Sequence, residues 1–304
     1  MTMPRQVLPG TTYLLTRRTR SRRFFLLPND PLVDIIFKFC VAYAAKLTGV
    51  KVHAVCVMSN HVHLVLTDIK GRLPEFTHWL FRHSALCLKA LRGIDENVWA
   101  AERKPPVALL TEQAVLDAMA YVMVNPVKAG LVSHFYQWPG WVSRPRDLVS
   151  AAETVSAPRQ YFKGQKTARL RLHVPEMLEA SYEAGEVVEM LEGLVEEYEE
   201  RAREARVASR RPVVGAARVR AMSPFAQPRT ASRGGASDDE GDGLVPRFKA
   251  LCRRELKEAR RRLRWFWQAY REALENLQLG REAVFPAGTW WYREHLGVAV
   301  TEAY

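Results

Sequence analysis

The chain has 304 residues, 48% hydrophobic and 26% charged, which is enough for about two domains with real cores and excludes wholesale disorder. Its formal net charge is +12 and its pI is near 9.7, a balance that favours a polyanionic partner such as nucleic acid. The longest apolar stretch, residues 31–47, is broken by Asp34, Lys38 and Lys46, so it reads as an amphipathic helix and not a membrane span. The first ten residues lack the apolar region of a signal peptide. Cys40, Cys56, Cys87 and Cys252 are scattered in apolar patterns with no Cys-x-x-Cys spacing. They read as core residues of a reduced, cytoplasmic chain.

The first half alternates strand and helix patterns. Residues 12–16 (TYLLT) predict a short strand, followed by an arginine-rich segment at 17–23. Apolar residues at three- and four-residue spacing predict a helix over 32–47. Residues 50–58 and 61–66 predict two strands joined at Ser59-Asn60 as a hairpin. A second long helix is expected over 73–91 and another strand over 106–110. Thr111 then caps a helix over 112–124, which Asn125-Pro126 ends or kinks. The order β-α-β-β-α-β-α predicts an α+β fold: a small antiparallel sheet with helices on one face.

The second half is segregated by charge. Residues 1–150 hold 19 Lys+Arg against 10 Asp+Glu, so the first half carries most of the excess. An acidic amphipathic helix is expected over 186–206, and residues 207–245, with the tract SRGGASDDEGDG, read as a flexible linker. A long helix is expected over 248–279, and residues 246–304 form a basic, aromatic, mainly helical C-terminal region.

Two features carry chemistry. On a strand, residues two apart share a face, so His61 and His63 point one way while Val62, Leu64 and Leu66 point the other. Paired imidazoles can hold a divalent metal, although two histidines can also coincide on a half-exposed strand. On the helix over 112–124, Asp117, Tyr121 and Asn125 fall at i, i+4 and i+8 and form one polar stripe. A tyrosine there presents its hydroxyl as a nucleophile, and Asn125 offers an amide oxygen to Mg²⁺ or Mn²⁺. The plainer reading of Tyr121 is a boundary tyrosine with its ring half buried. Together, the metal ligands and the nucleophile suit phosphoryl transfer, which needs mainly positioning and charge neutralisation.

The string VHAVCVMSNHVHLVL, followed about sixty residues on by YVMVNPVKAGLV, resembles the single-tyrosine HUH transposases, among them the REP-associated tyrosine transposases. The resemblance covers about residues 10–145, with Ser59 where the family often has proline. It implies a ferredoxin-like HUH domain over 1–148, a connecting segment with the acidic helix over 149–206, and the linker and C-terminal region beyond. It further implies Tyr121 as nucleophile, His61 and His63 as metal ligands, Asn125 as a third ligand, and Mg²⁺ or Mn²⁺ as the ion. The implied activity is cleavage and rejoining of single-stranded or hairpin DNA through a 5′-phosphotyrosine, as in DNA transposition and recombination by a mobile element. A domesticated nickase, or a DNA- or RNA-structure binder that no longer cleaves, is the alternative. The partners implied are DNA, at the nucleoid, and no membrane; a homodimer is also compatible.

Arg17, Arg18, Arg20, Arg22 and Arg23, next to a strand end, are candidates to clamp phosphates; a solvated loop is the plainer reading. The basic residues between Lys249 and Arg264 lie beside Trp265, Phe266 and Trp267. That helix reads either as a DNA-binding face or as a charged exterior over a packed stripe. The acidic helix is a charge-complementary mate for it.

Overall fold

The computed structural model describes residues 4–101, 105–159, 161–164, 166–228 and 247–302. Seven elements build the first half: β1 (Thr11–Arg18), α1 (Leu32–Thr48), β2 (Lys51–Val57), β3 (His61–Asp68), α2 (Leu73–Arg92), β4 (Val107–Leu109) and α3 (Glu112–Lys128). The strands lie in the order β2-β3-β1-β4, each antiparallel to its neighbour. This is the order of a ferredoxin-like βαββαβ unit, and the α+β class expected from the sequence holds. The register pairs Thr16 with His63 and Arg18 with His61.

Burial follows the residue pattern. Val62, Leu64 and Leu66 are buried, but so are His63, Val65 and Thr67, so β3 is covered on both faces beyond His61. α1 and α2 pack on one another, and α3 packs across β2 and β3. The outer edge of β2 is closed by chain beyond α3: Val57 N–H donates to the Trp141 carbonyl and Ser143 N–H to that of Val55. An edge strand covered in this way offers no free ladder to another chain.

The second half adds β5 (Glu153–Ser156) and β6 (Thr167–Leu170), a hairpin packed on α1. It continues through α4 (Glu176–Glu179), α5 (Ala184–Ala208) and α6 (Ala216–Arg220), with α5 running against α3. β7 (Arg247–Lys249) joins the main sheet parallel to β4. α7 (Arg253–Gln278), β8 (Val284–Phe285), α8 (Trp291–Leu296) and β9 (Ala299–Val300) complete the chain, with a small core of Leu263, Phe266, Tyr270 and Phe285. Among the described residues, no helix is long and apolar enough to cross a membrane.

Several local expectations are corrected. α3 runs through Asn125-Pro126 to Lys128, because the turn beyond Asn125 is buried against neighbouring structure. Phe248 belongs to β7, so the long C-terminal helix starts later, at Arg253. Residues 207–228 are not wholly linker: α6 buries Val219, Phe24 N–H donates to the Ala226 carbonyl at 3.0 Å, and Phe225 packs edge-on against Phe25. A few apolar side chains suffice to tie down an otherwise basic, proline-containing stretch; the remainder of the expected linker lies outside the described residues. Cys252 is exposed just before α7, whereas Cys40, Cys56 and Cys87 are buried. The acids of α5 pair with Arg146, His134 and arginines of α5 itself, and among the described residues no ion pair joins α5 to α7.

Candidate active site

The period-2 geometry of β3 delivers His61 and His63 to one face, with ring centroids 4.7 Å apart and planes at 90°. α3 brings Tyr121 to the same place: its ring meets His63 edge-on at 5.5 Å between centroids. Three residues from two elements, about sixty positions apart in sequence, therefore form one cluster. His61 is half-buried and His63 buried, so the cluster opens to solvent on the His61 side.

The imidazoles are held from behind. His61 Nδ1 lies 2.7 Å from Asn60 Oδ1. An amide oxygen only accepts, so His61 donates from Nδ1, and in the neutral ring Nε2 carries the lone pair. Thr16 Oγ1 lies 2.8 Å from His63 Nδ1, a contact that follows from the β1–β3 register. Asn60 also donates from Nδ2 to the Arg22 carbonyl at 3.2 Å, and Thr19 Oγ1 lies 3.0 Å from the Asn60 carbonyl. The hairpin turn and the arginine segment are thus one bonded unit.

Within that segment, Ser21 and Arg22 have φ of 52° and 55°, two successive left-handed non-glycine residues. Such backbone persists only where surrounding bonds over-determine it. Here the Arg20 N–H to Val98 and Arg23 N–H to Arg20 bonds do so. The five arginines divide. Arg17 donates to the Ala100 carbonyl and lies 5.9 Å from the centre of the Phe81 ring. Arg20 and Arg23 share Glu96, at 3.7 and 2.7 Å. Arg18 stands directly across from His61, so it shares the imidazole face, while Arg17 opposes Val62. Arg22 lies at the left-handed turn beside Asn60.

On α3, Asp117 is turned to structural use. Its carboxylate lies 3.3 Å from Lys249 of β7, and it accepts from the Tyr198 hydroxyl on α5, whose pKa is pushed up to about 12 by burial and by that carboxylate. Lys128, two turns beyond Tyr121, places its ammonium 4.8 Å from the centre of the Tyr121 ring. This cation–π contact puts a positive charge beside the phenol. Asn125, one turn beyond Tyr121, is buried. Asn60, Thr16 and Lys128 were not singled out by sequence reasoning; Lys128 alone had a readable signal, its i+7 spacing from Tyr121.

The donor set fits a divalent cation in one respect: two adjacent imidazoles, one with its lone pair fixed on Nε2, supply two nitrogens. Among the described residues, no three His, Cys, Asp or Glu side chains gather to hold an ion. Any further ligands would therefore be oxygens from an amide, water or a phosphate.

No family model and no curated protein sequence matches the chain. Solved structures similar to it include two transposases. One is a REP-associated tyrosine transposase bound to a REP hairpin, at 18% identity and TM-score 0.41, covering 53% of this chain and 88% of that one. The other is a transposase candidate from Deinococcus radiodurans R1, at 22% identity and TM-score 0.27, covering 34% and 79%.

Proposed function

We propose that the protein is a DNA strand transferase of the single-tyrosine type, which cuts and rejoins single-stranded or hairpin DNA. The observation that carries the reading is the convergence of His61, His63 and Tyr121, with imidazole and phenol rings 5.5 Å apart. That spacing lets one phosphate touch both. Tyr121 Oη attacks the scissile phosphorus and the P–O3′ bond breaks. The phenol gives up its proton, the departing 3′-oxygen takes one up, and a 5′-phosphotyrosine results. The bond energy is kept in the tyrosine ester, so a 3′-hydroxyl can later attack it and restore the phenol without ATP. Arg18 and Lys128 flank the cluster as cations suited to a non-bridging phosphate oxygen. His61 and His63, with the Asn125 amide, would hold Mg²⁺ or Mn²⁺, which when bound neutralises phosphate charge.

The test is incubation of the full chain with hairpin-bearing single-stranded DNA and Mg²⁺ or Mn²⁺. The hairpin complex of the similar transposase makes that substrate the first choice. A protein–DNA adduct that survives denaturation is expected, and Tyr121→Phe should abolish it while DNA binding persists. DNA binding without any adduct in the wild-type chain would select the non-cleaving binder instead.

A further inference from the structure

We propose that the solvent face of α7 is a second nucleic-acid contact, one that grips duplex DNA through its phosphates; the claim rests on the DNA-processing reading above. The helix is split lengthwise. Leu263, Phe266, Tyr270 and Leu274 are buried in the C-terminal core. About 100° round the helix from that stripe, Arg253, Lys257, Arg260 and Arg264 recur at i, i+4, i+7 and i+11, all exposed. At 100° per residue they fall within an arc of about 60°, a straight row roughly 16 Å long. Among the described residues none of the four has an acidic partner, because Glu258 is taken by Arg261 and Arg262 at 2.8 and 2.9 Å. Like charges at i, i+4 repel, so a single-sign row weakens the free helix and is relieved by a polyanion. A rigid row suits the fixed phosphates of a duplex, and its contacts carry no sequence information.

The location agrees with this role. β7 pairs with β4, and Lys249 binds Asp117 one turn before Tyr121. α7 starts four residues after Lys249, so the first turn of the basic row is tethered close to the strand that meets the tyrosine helix.

The test measures binding of the full chain to a duplex of about two helical turns, and to a single strand of equal length, over a range of salt. Combined Arg253→Ala, Lys257→Ala, Arg260→Ala and Arg264→Ala should weaken duplex binding about tenfold or more. The slope of log K against log salt should fall by roughly two to four. Single-strand binding should change little. The two-site reversal Arg260→Glu with Arg264→Glu gives the same reading should the four-fold variant fold poorly. An unchanged duplex slope overturns the proposal. Equal losses on duplex and single strand overturn it too. Adduct formation on a short single strand should survive in both variants. Its absence from the wild-type chain would remove the catalytic reading and leave this binding result standing.

Discussion

Asn60 joins the two parts of the candidate site. Its oxygen fixes the His61 tautomer and its nitrogen ties the Arg22 carbonyl, so one amide orients both an imidazole and the arginine turn. Asn60→Ala should lower the rate of adduct formation by about 10–100-fold, the usual cost of losing a partner that orients a ligand. Asn60→Asp, which still accepts from His61, should restore most of it. Equal defects in Asp and Ala variants would reduce Asn60 to a turn residue. That is how it reads in sequence, where Ser59-Asn60 signals only a hairpin. His61, His63 and Tyr121 were legible because strand and helix periods alone place them. Thr16 and Arg18 join the cluster through a pairing across 40-odd residues, Thr16 to His63 and Arg18 to His61, which local pattern does not encode. The arginine segment was legible as a charge run. Its division into bracing Arg17, Glu96-bound Arg20 and Arg23, and site-facing Arg18 required the register.

α3 carries the tyrosine and is fixed at both ends. Thr111 caps its start, accepting from the Ala114 N–H at 3.2 Å, a contact of the kind worth about 1 kcal/mol. At its end, Arg206 of α5 reaches the carbonyls of Val127 and Lys128 at 3.3 Å, a cation at the negative pole of the helix. Gly130 follows with φ of 69°, and a Cβ there would fall on the Arg206 guanidinium. Gly130→Ala should therefore cost about 1–3 kcal/mol and lower the melting temperature. Adding Arg206→Ala should cost less than the sum of the two, because it removes the clash. A Gly130→Ala protein that melts with the wild type would contradict this account. From sequence, Asn125-Pro126 ends or kinks the helix, since proline lacks an N–H and disfavours helix before it. What local pattern does not show is that the acidic helix, α5, packs on α3 from far along the chain and caps its last turn.

Across the whole molecule, the two halves are stitched by buried polar contacts as well as by β7 and α5. His53 sits at the β2 bulge, fully buried. Its Nδ1 donates to the His173 carbonyl at 2.7 Å, and its Nε2 accepts from Thr67, 2.7 Å away. Burial drives its pKa down to about 3, so the folded protein keeps it neutral. An unfolded chain binds that proton near the ordinary value of 6.5. The stabilisation is complete above pH 6.5 and is lost as pH falls toward 3, at up to about 1.4 kcal/mol per pH unit. Asp34, raised to about 6 by burial, works in the opposite sense between 3.8 and about 6. Comparing wild type with His53→Gln in denaturant titrations from pH 7 to 4 cancels that contribution. The wild type should lose stability faster, and parallel curves would refute the assignment. The second half was the least legible part of the sequence. A three-residue strand such as β7 has no pattern of its own, and residues 207–228 look like linker until their few apolar side chains find pockets. The first half was read well because amphipathic periods and turn residues are local. The most direct measurement of the central claim is mass-spectrometric mapping of the nucleotide-linked peptide after cleavage of hairpin DNA. The phosphonucleotide should sit on Tyr121; an adduct on any other residue would contradict the account.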